Sequence, residues 1–388
     1  MFEKALYGGR RYWALLGLLG TVAAIGALAY VYQFREGLAI TGLSRDVPWG
    51  FYIAQLTFMV GIAASAVMVV LPYYLHDYKA FGKITILGEF LAIPAVLCCV
   101  LFVFVDMGQP MRIVNMFLHP TPNSVMFWDA TVLMGYLVLN VVISQVTLGA
   151  ERKGIAPPKW IKPVIILSIP WAVSIHTVTA FLYSGLAARP FWMTAILAPR
   201  FLASAFASGP SLLILLCLVV RRFTKFDPGI VAIRKLSVIV AYAMATSIFF
   251  VLLELFTAFY SNIPEHLEHF RYMYFGLEGK AILAPWTWLS VALAMIAALL
   301  MLIPKARANN TLLVIGCVCV IGSLWIDKGL DLVIAGFVPS PLGHVTEYWP
   351  TLPEALIALS VYAIGAGVLT VLYKIAVSIR EQVTYVDH

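Results

Sequence analysis

The sequence predicts an all-α, polytopic membrane protein with ten transmembrane helices, and three observations predict it. Of its 388 residues, 62% are hydrophobic and 12% charged, against roughly 45–50% apolar and about 25% charged in soluble domains. A soluble fold cannot bury that much apolar surface. Hydrophobic runs recur at lengths near the roughly 20 residues that cross a ~30 Å hydrocarbon core, separated by segments carrying Arg, Lys, Pro and Gly. Nowhere do apolar and polar residues alternate over the roughly ten-residue stretches of a membrane β-barrel. The formal charge of +7 sits at the ends of apolar runs rather than in one patch. It therefore reads as a membrane-orientation signal, not as a nucleic-acid surface.

The candidate helices are 12–33, 50–75, 84–105, 124–148, 163–184, 201–220, 235–260, 282–303, 311–327 and 353–373. The first run follows Lys4, Arg10 and Arg11 but is long and lacks a small-residue cleavage site, which predicts a retained helix rather than a signal peptide. Five cysteines, Cys98, Cys99, Cys217, Cys317 and Cys319, lie inside apolar runs and form no CxxC. That predicts small buried hydrophobes and neither an iron–sulfur nor a zinc site. An even number of helices puts both termini on one side. The tails and the loops near 76–83, 149–162, 221–234 and 304–310, counted with the adjoining helix ends, hold 18 of the 26 Lys and Arg residues. The positive-inside rule then predicts cytoplasmic termini. The alternate loops, near 34–49, 106–123, 185–200, 261–281 and 328–352, are mostly longer and richer in Trp, His, Pro and acids. None approaches the roughly 50 residues of a small domain, so large redox domains would belong to other chains.

Ionisable groups inside spans cost at least about 2.5–3.5 kcal/mol on insertion scales, so each is a functional candidate. Glu89 lies near the inner end of the third helix, Glu254 in the outer half of the seventh and His176 in the middle to outer half of the fifth, while Asp106 and Asp129 flank the second outward loop. On the fourth helix Asp129, Tyr136, Asn140 and Ser144 fall at i, i+7, i+11 and i+15, a polar stripe running from the outer boundary inward. His176, Thr179 and Tyr183 share a face of the fifth helix, as do Glu254, Thr257 and Ser261 on the seventh. Thr, Ser, Asn and Tyr at such positions read first as hydrogen-bonded glue between helices. Glu254, His176 and Asp129 read as functional, because an ionisable group is a poor choice for packing. His76, His119, His266, His269, His344 and His388 fall in loops, boundaries or the tail. A single intramembrane imidazole predicts that this chain holds no haem.

The segments DMGQPMRIVNMFLHP (106–120), FWD (127–129) and IPWAVSIHTVTAFLYSGLAARPFW (169–192) carry a resemblance to the NrfD/PsrC family of quinone-interacting membrane subunits. It covers essentially the whole chain, whose ten-helix length resembles the HybB, HmcC and DsrP branch. SRDVPWGFYIAQLTF (44–58), LPYYLHDYKAFGKITILGEF (71–90) and APRFLASAFASGP (198–210) are most similar to the DsrP type. The resemblance implies two four-helix bundles, expected over 12–148 and 163–303, with two additional C-terminal helices in 311–373. It implies menaquinone or another quinone near the outer face and no haem or iron–sulfur cluster in this chain. The implied partners are a periplasmic iron–sulfur subunit (DsrO-like), a cytochrome c subunit (DsrJ-like), a haem b membrane subunit (DsrM-like) and a cytoplasmic iron–sulfur subunit (DsrK-like), in a complex of sulfite and sulfur metabolism at a prokaryotic cytoplasmic membrane.

Quinone chemistry needs an apolar pocket, hydrogen-bond partners for two oxygens and a proton acceptor. Asp129 and His176 are the expected catalytic partners, Trp128 and Tyr183 the walls, and Arg112, Arg189 and Asp106 further contacts at the outer boundary. Glu89, Tyr136, Asn140, Ser144 and Glu254 are the expected proton path. Asp106 also reads as a helix-end residue ahead of Gly108 and Pro110. Some shorter relatives use polar first-helix residues at the quinone; here that helix is apolar until Tyr30, Tyr32 and Gln33. Two other classes remain. A secondary transporter predicts broken helices and an inverted repeat, of which GIAASA (61–66) and SAFASG (204–209) give only a faint echo. A passive anchor would not need Glu89, Asn140 and Glu254 in the bilayer.

Overall fold

A computed structural model describes residues 2–386, so His388 lies outside the described residues. Among the described residues ten helices are long and apolar enough to cross a membrane. They are α1 (Arg10–Glu36), α2 (Phe51–Leu75), α3 (Gly82–Asp106), α4 (Val125–Arg152), α5 (Ile161–Ser184), α6 (Leu197–Phe223), α7 (Ile230–Ser261), α8 (Ala284–Leu302), α9 (Asn310–Ala335) and α10 (Leu352–Val386). Among the described residues the only extended pairing is one bridge between Leu277 and Lys280. The chain is a multi-pass integral membrane protein. Successive spans alternate in direction, so the described ends of the chain share one face, here the terminal face. The longer connections form the opposite, loop face.

Two elements differ from the sequence expectation. The second is interrupted at residues 64–66, between Phe51–Ala63 and Val67–Leu75. There GIAASA meets SAFASG of α6 so closely that a Cβ on Gly209 would stand 2.9 Å from the Ser65 nitrogen. The small residues permit backbone contact. The ninth helix does not stop at 327; it continues through a π-helical segment, Trp325–Asp331, to Ala335. The charges of IDKGLD suggest a loop, but each finds a buried neighbour. Asp327 meets Arg200, Asp331 meets Thr287, and Lys328 lies over the Phe201 ring.

Packing follows a grouping other than 12–148, 163–303 and 311–373. Helices α2 to α5 form one bundle and α6 to α9 a second, joined by α2 against α6 and α9 and by α5 against α6. The accessory pair is α1 with α10, which packs on α3. The physical reason lies in side chains. The long apolar α1 is almost wholly exposed on the protein surface, as suits a lipid-facing helix, and approaches α10 where Gly26 meets Ser360. Asp327 and Asp331 of α9 find their partners on α6 and α8. The two bundles begin with α2 and α6, which run in the same direction.

The loop face is cross-linked by hydrogen bonds. Glu354, three residues after Thr351, reaches back to the Thr351 N–H (2.8 Å), half of a capping box. The same carboxylate accepts from the Gly42 N–H (2.7 Å) and the Tyr348 hydroxyl (2.7 Å), tying α10 to the 41–50 connection. A short helix, Pro264–Phe275, places His269 Nδ1 at 2.7 Å from the Ala335 carbonyl and 2.9 Å from that of Val338. Two carbonyl neighbours require that nitrogen to be the donor.

Candidate functional site

The stripe on α4 faces the first bundle: Asp129, Tyr136, Asn140 and Ser144 are all buried. So are His176, Thr179 and Tyr183 on α5. The Thr179 hydroxyl donates to Asp129 Oδ1 at 2.6 Å, and the hydroxyls of Tyr183 and Thr57 of α2 form a short hydrogen bond. His176 is 0% exposed, and neither ring nitrogen has a hydrogen-bond partner among the described residues. Leaving such a group unpaired costs about 1–3 kcal/mol, so two orphaned nitrogens on one ring call for an explanation. Asp129, His176 and Tyr183 are thus all buried in the half of the first bundle nearer the loop face.

An aromatic wall closes this group toward the loop face. The Tyr183 ring lies 5.6 Å from Trp49, 5.1 Å from Trp192 and 6.0 Å from Phe201, centroid to centroid. The Trp192 indole donates to the Leu332 carbonyl (2.8 Å), fixing the wall to α9. Above it an open cleft of about 400 Å³ is lined by Pro48, Trp49, Arg189 and Phe337. Arg189 covers the Phe337 ring at 4.5 Å and donates to its carbonyl at 3.3 Å. Burial lowers the Arg189 pKa and the Asp46 carboxylate opposes this.

Other expected residues are distributed differently. Trp128 is exposed and its indole donates to the Pro122 carbonyl (2.8 Å), while Arg112 is exposed on the short helix Pro110–Val114. Neither reaches the Asp129–His176 group. Asp106 ends α3 with Oδ1 buried and without a hydrogen-bond partner among the described residues. Beside it Gln33 of α1 donates to the Val105 carbonyl (2.6 Å) and accepts from the Tyr52 hydroxyl (2.7 Å). The one buried polar side chain of the first helix therefore does meet the bundle.

Glu89 is buried near the terminal face and lines a cavity of about 300 Å³ with Tyr73, Tyr74, Glu151 and Arg380. Arg380 of α10 pairs with Glu151 at 3.0 Å, holding the helix tail over that end. Between the two ends, Asn140 donates to the Tyr136 carbonyl (2.8 Å) and Ser144 to that of Val141 (3.2 Å). Glu254 is apart from this stripe. It belongs to the second bundle, where Arg200 bridges it to Asp327 (2.7 Å on the Asp327 side).

Sequence reasoning passed over Arg200, Asp327, Lys328 and Asp331. Arg200 falls in the expected outward loop and the other three beyond or at the expected end of the ninth helix. The available signal was the apolar run LVIAGFV directly after Asp331, together with the helical i, i+4 spacing of Asp327 and Asp331. Among the described residues no three His, Cys, Asp or Glu side chains converge as metal ligands would.

Among the described residues, ten helices long and apolar enough to span a membrane enclose buried polar and ionisable side chains, the form of a multi-pass integral membrane protein. The chain belongs to the NrfD family: the family described as polysulphide reductase, NrfD, matches residues 39–338. It is 25% identical to a putative dimethyl sulfoxide reductase membrane subunit of Halobacterium salinarum, over 90% of this chain and 88% of that protein. It is 27% identical to an Hdr-like menaquinol oxidoreductase integral membrane subunit of Archaeoglobus fulgidus, over 65% of this chain and 62% of the relative. Similarity to a selenate reductase subunit of Mesobacillus selenatarsenatis is 25% identity over 51% of this chain and 54% of the relative.

Proposed function

We propose that this chain is the quinone-handling membrane subunit of a respiratory redox complex, with the quinone site in the first bundle at Asp129, His176 and Tyr183. The observation that carries this reading is the unpartnered, fully buried imidazole of His176 beside the Asp129–Thr179 and Tyr183–Thr57 hydrogen bonds. The donor set fits a quinone: a carboxylate, an imidazole and a phenol can serve its two oxygens in either redox state. A bound quinol supplies two electrons and two protons. Asp129 is the proton acceptor, and His176 holds the opposite oxygen in whichever tautomer it requires. The aromatic wall keeps bulk water from the pair. The names of the relatives, two belonging to reductases and one to a menaquinol oxidoreductase, support the same class of chemistry.

In this reading the loop face is periplasmic, in the cytoplasmic membrane of a prokaryote, and docks an iron–sulfur subunit that exchanges electrons with menaquinone. The complex is of the Dsr type, linked to sulfite and sulfur metabolism, with DsrO-, DsrJ-, DsrM- and DsrK-like partners. Glu89 is the inner end of a proton route along the α4 stripe. The break in α2 is the feature that favours a transporter instead; it is accounted for by the close contact of Ser65 with Gly209 of α6. Asp129→Asn and His176→Ala, each in the purified complex, should slow quinol oxidation by about a hundredfold with assembly of the complex unchanged. Normal turnover in both variants would remove the site assignment.

A further inference from the structure

A second cavity, of about 290 Å³, lies between α7, α8 and the π-helical segment of α9. Its walls are apolar, with Leu252 and Met295 more than half exposed on the membrane-facing surface. Its floor is polar. Asp327 and Asp331 lie on the same side of α9, the former paired with Arg200 and the latter accepting, among the described residues, from Thr287 alone (3.1 Å). Ser247 is 2% exposed, lines the cavity, and has no hydrogen-bond partner among the described residues. The phenol of Tyr274, between the spans, also lines it; burial and then the carboxylates of Asp327 and Asp331 raise its pKa.

The floor carries more acceptors than the protein satisfies. Arg200 is shared by Glu254 and Asp327, which leaves the Asp331 carboxylate with a single hydroxyl. An occupant arriving from the bilayer must therefore be apolar over most of its length and bring hydrogen-bond donors at one end. A phospholipid fails, because its phosphate meets carboxylates. An acyl chain fails, because it offers no donor. A quinol satisfies both requirements, and the volume, at the lower edge of the roughly 300–1,000 Å³ of small-molecule sites, suits a head group whose tail stays in lipid.

We propose that this slot is a second quinol site, holding the head group through its hydroxyls between the Asp327–Asp331 carboxylates and the Ser247 and Tyr274 hydroxyls, with the isoprenoid tail leaving between α7 and α8. It rests on the reading that the complex handles quinones, but uses a different bundle from the Asp129–His176 site. Asp331, which accepts from the Thr287 hydroxyl, gains a further donor from the reduced head group, whereas the Ser247 and Tyr274 hydroxyls can serve either redox form. An oxidised head group brings none of the donors that the carboxylates need.

The test is photolabelling of the intact complex in membranes with a chemically reduced azido-naphthoquinol carrying a short isoprenoid tail, followed by peptide mapping. Adducts are expected in 244–255 and 287–295 as well as in the first bundle. Asp331→Asn should reduce second-bundle adducts about tenfold, the effect of one charged hydrogen bond, with first-bundle adducts unchanged. Ala294→Phe, which fills the slot without touching its charges, should abolish them. Adducts confined to the first bundle, or labelling of the second that neither variant alters, would overturn the second site and leave the quinone reading standing. No adduct in either bundle would remove both.

Discussion

A buried guanidinium such as Arg200 is tolerated only because two carboxylates share it. Removing the cation strands Glu254 and Asp327 in a low-dielectric interior, so Arg200→Ala should destabilise the protein by about 3–5 kcal/mol, read as a lowered melting temperature of the purified complex. Lys328 is the contrasting case. Its ammonium is buried, 3.4 Å from the Phe201 carbonyl and 4.4 Å from that ring, with no carboxylate in a salt bridge to it among the described residues, so Lys328→Met exchanges an expensive desolvation for packing of similar volume. Its melting temperature should be unchanged or higher. His269 gives a pH dependence outside the spans. Burial is the main cause lowering its pKa from 6.5 to about 4. The unfolded chain therefore takes up a proton that the folded chain refuses between those values. Stability is at its full value above pH 6.5 and falls as pH drops toward 4, by on the order of 3 kcal/mol. Melting curves across that window should show the slope in the natural protein and a shallower one in His269→Gln, which keeps a donor but cannot be protonated.

Helices α2 and α6 meet through small residues, and this contact sets how closely the bundles approach. A Cβ on Gly209 would press against the backbone of Ser65, which cannot move as a side-chain tip can. Gly209→Ala should therefore lower the melting temperature, whereas Gly149→Ala, where nothing lies within 4 Å, should leave it unchanged. These elements also show how far the sequence could be read. Span length and apolar content are local properties, so ten helices were legible, as was the inward face of α4 from its spacing. Asp129, His176 and Tyr183, the residues of the proposed site, were legible as intramembrane polar groups, and all three are buried. The break in α2 and the continuation of α9 were not, because each depends on a partner distant in sequence. A hydropathy window counts Asp327, Lys328 and Asp331 against a span whether or not Arg200, Phe201 and Thr287 stand ready to receive them. Trp128 misled for the opposite reason: adjacency to Asp129 in sequence points its side chain about 100° away on a helix, and its indole turns to Pro122.

Taken across its full thickness, the molecule has polar groups at both ends of the first bundle and a thinner line of them between. Near the loop face are Asp129 and His176; near the terminal face Glu89 opens on its cavity beside Arg380. Tyr136, Asn140 and Ser144 are buried on the intervening face of α4, yet the last two spend side-chain hydrogen bonds on their own helix backbone. Without reorientation that line is not a continuous wire, and any proton moving along it needs water or rotamer change. Two outcomes can then be separated in sealed vesicles. If quinol protons leave through the terminal face, Glu89→Gln should reduce proton movement per electron at that face, with quinol oxidation itself slowed less than in Asp129→Asn. Asn140→Leu, which blocks the stripe midway without altering either end, should act in the same direction. If both variants keep the natural proton-to-electron ratio, protons leave at the loop face directly from Asp129, and Glu89 serves only the electrostatics of the Arg380–Glu151 closure.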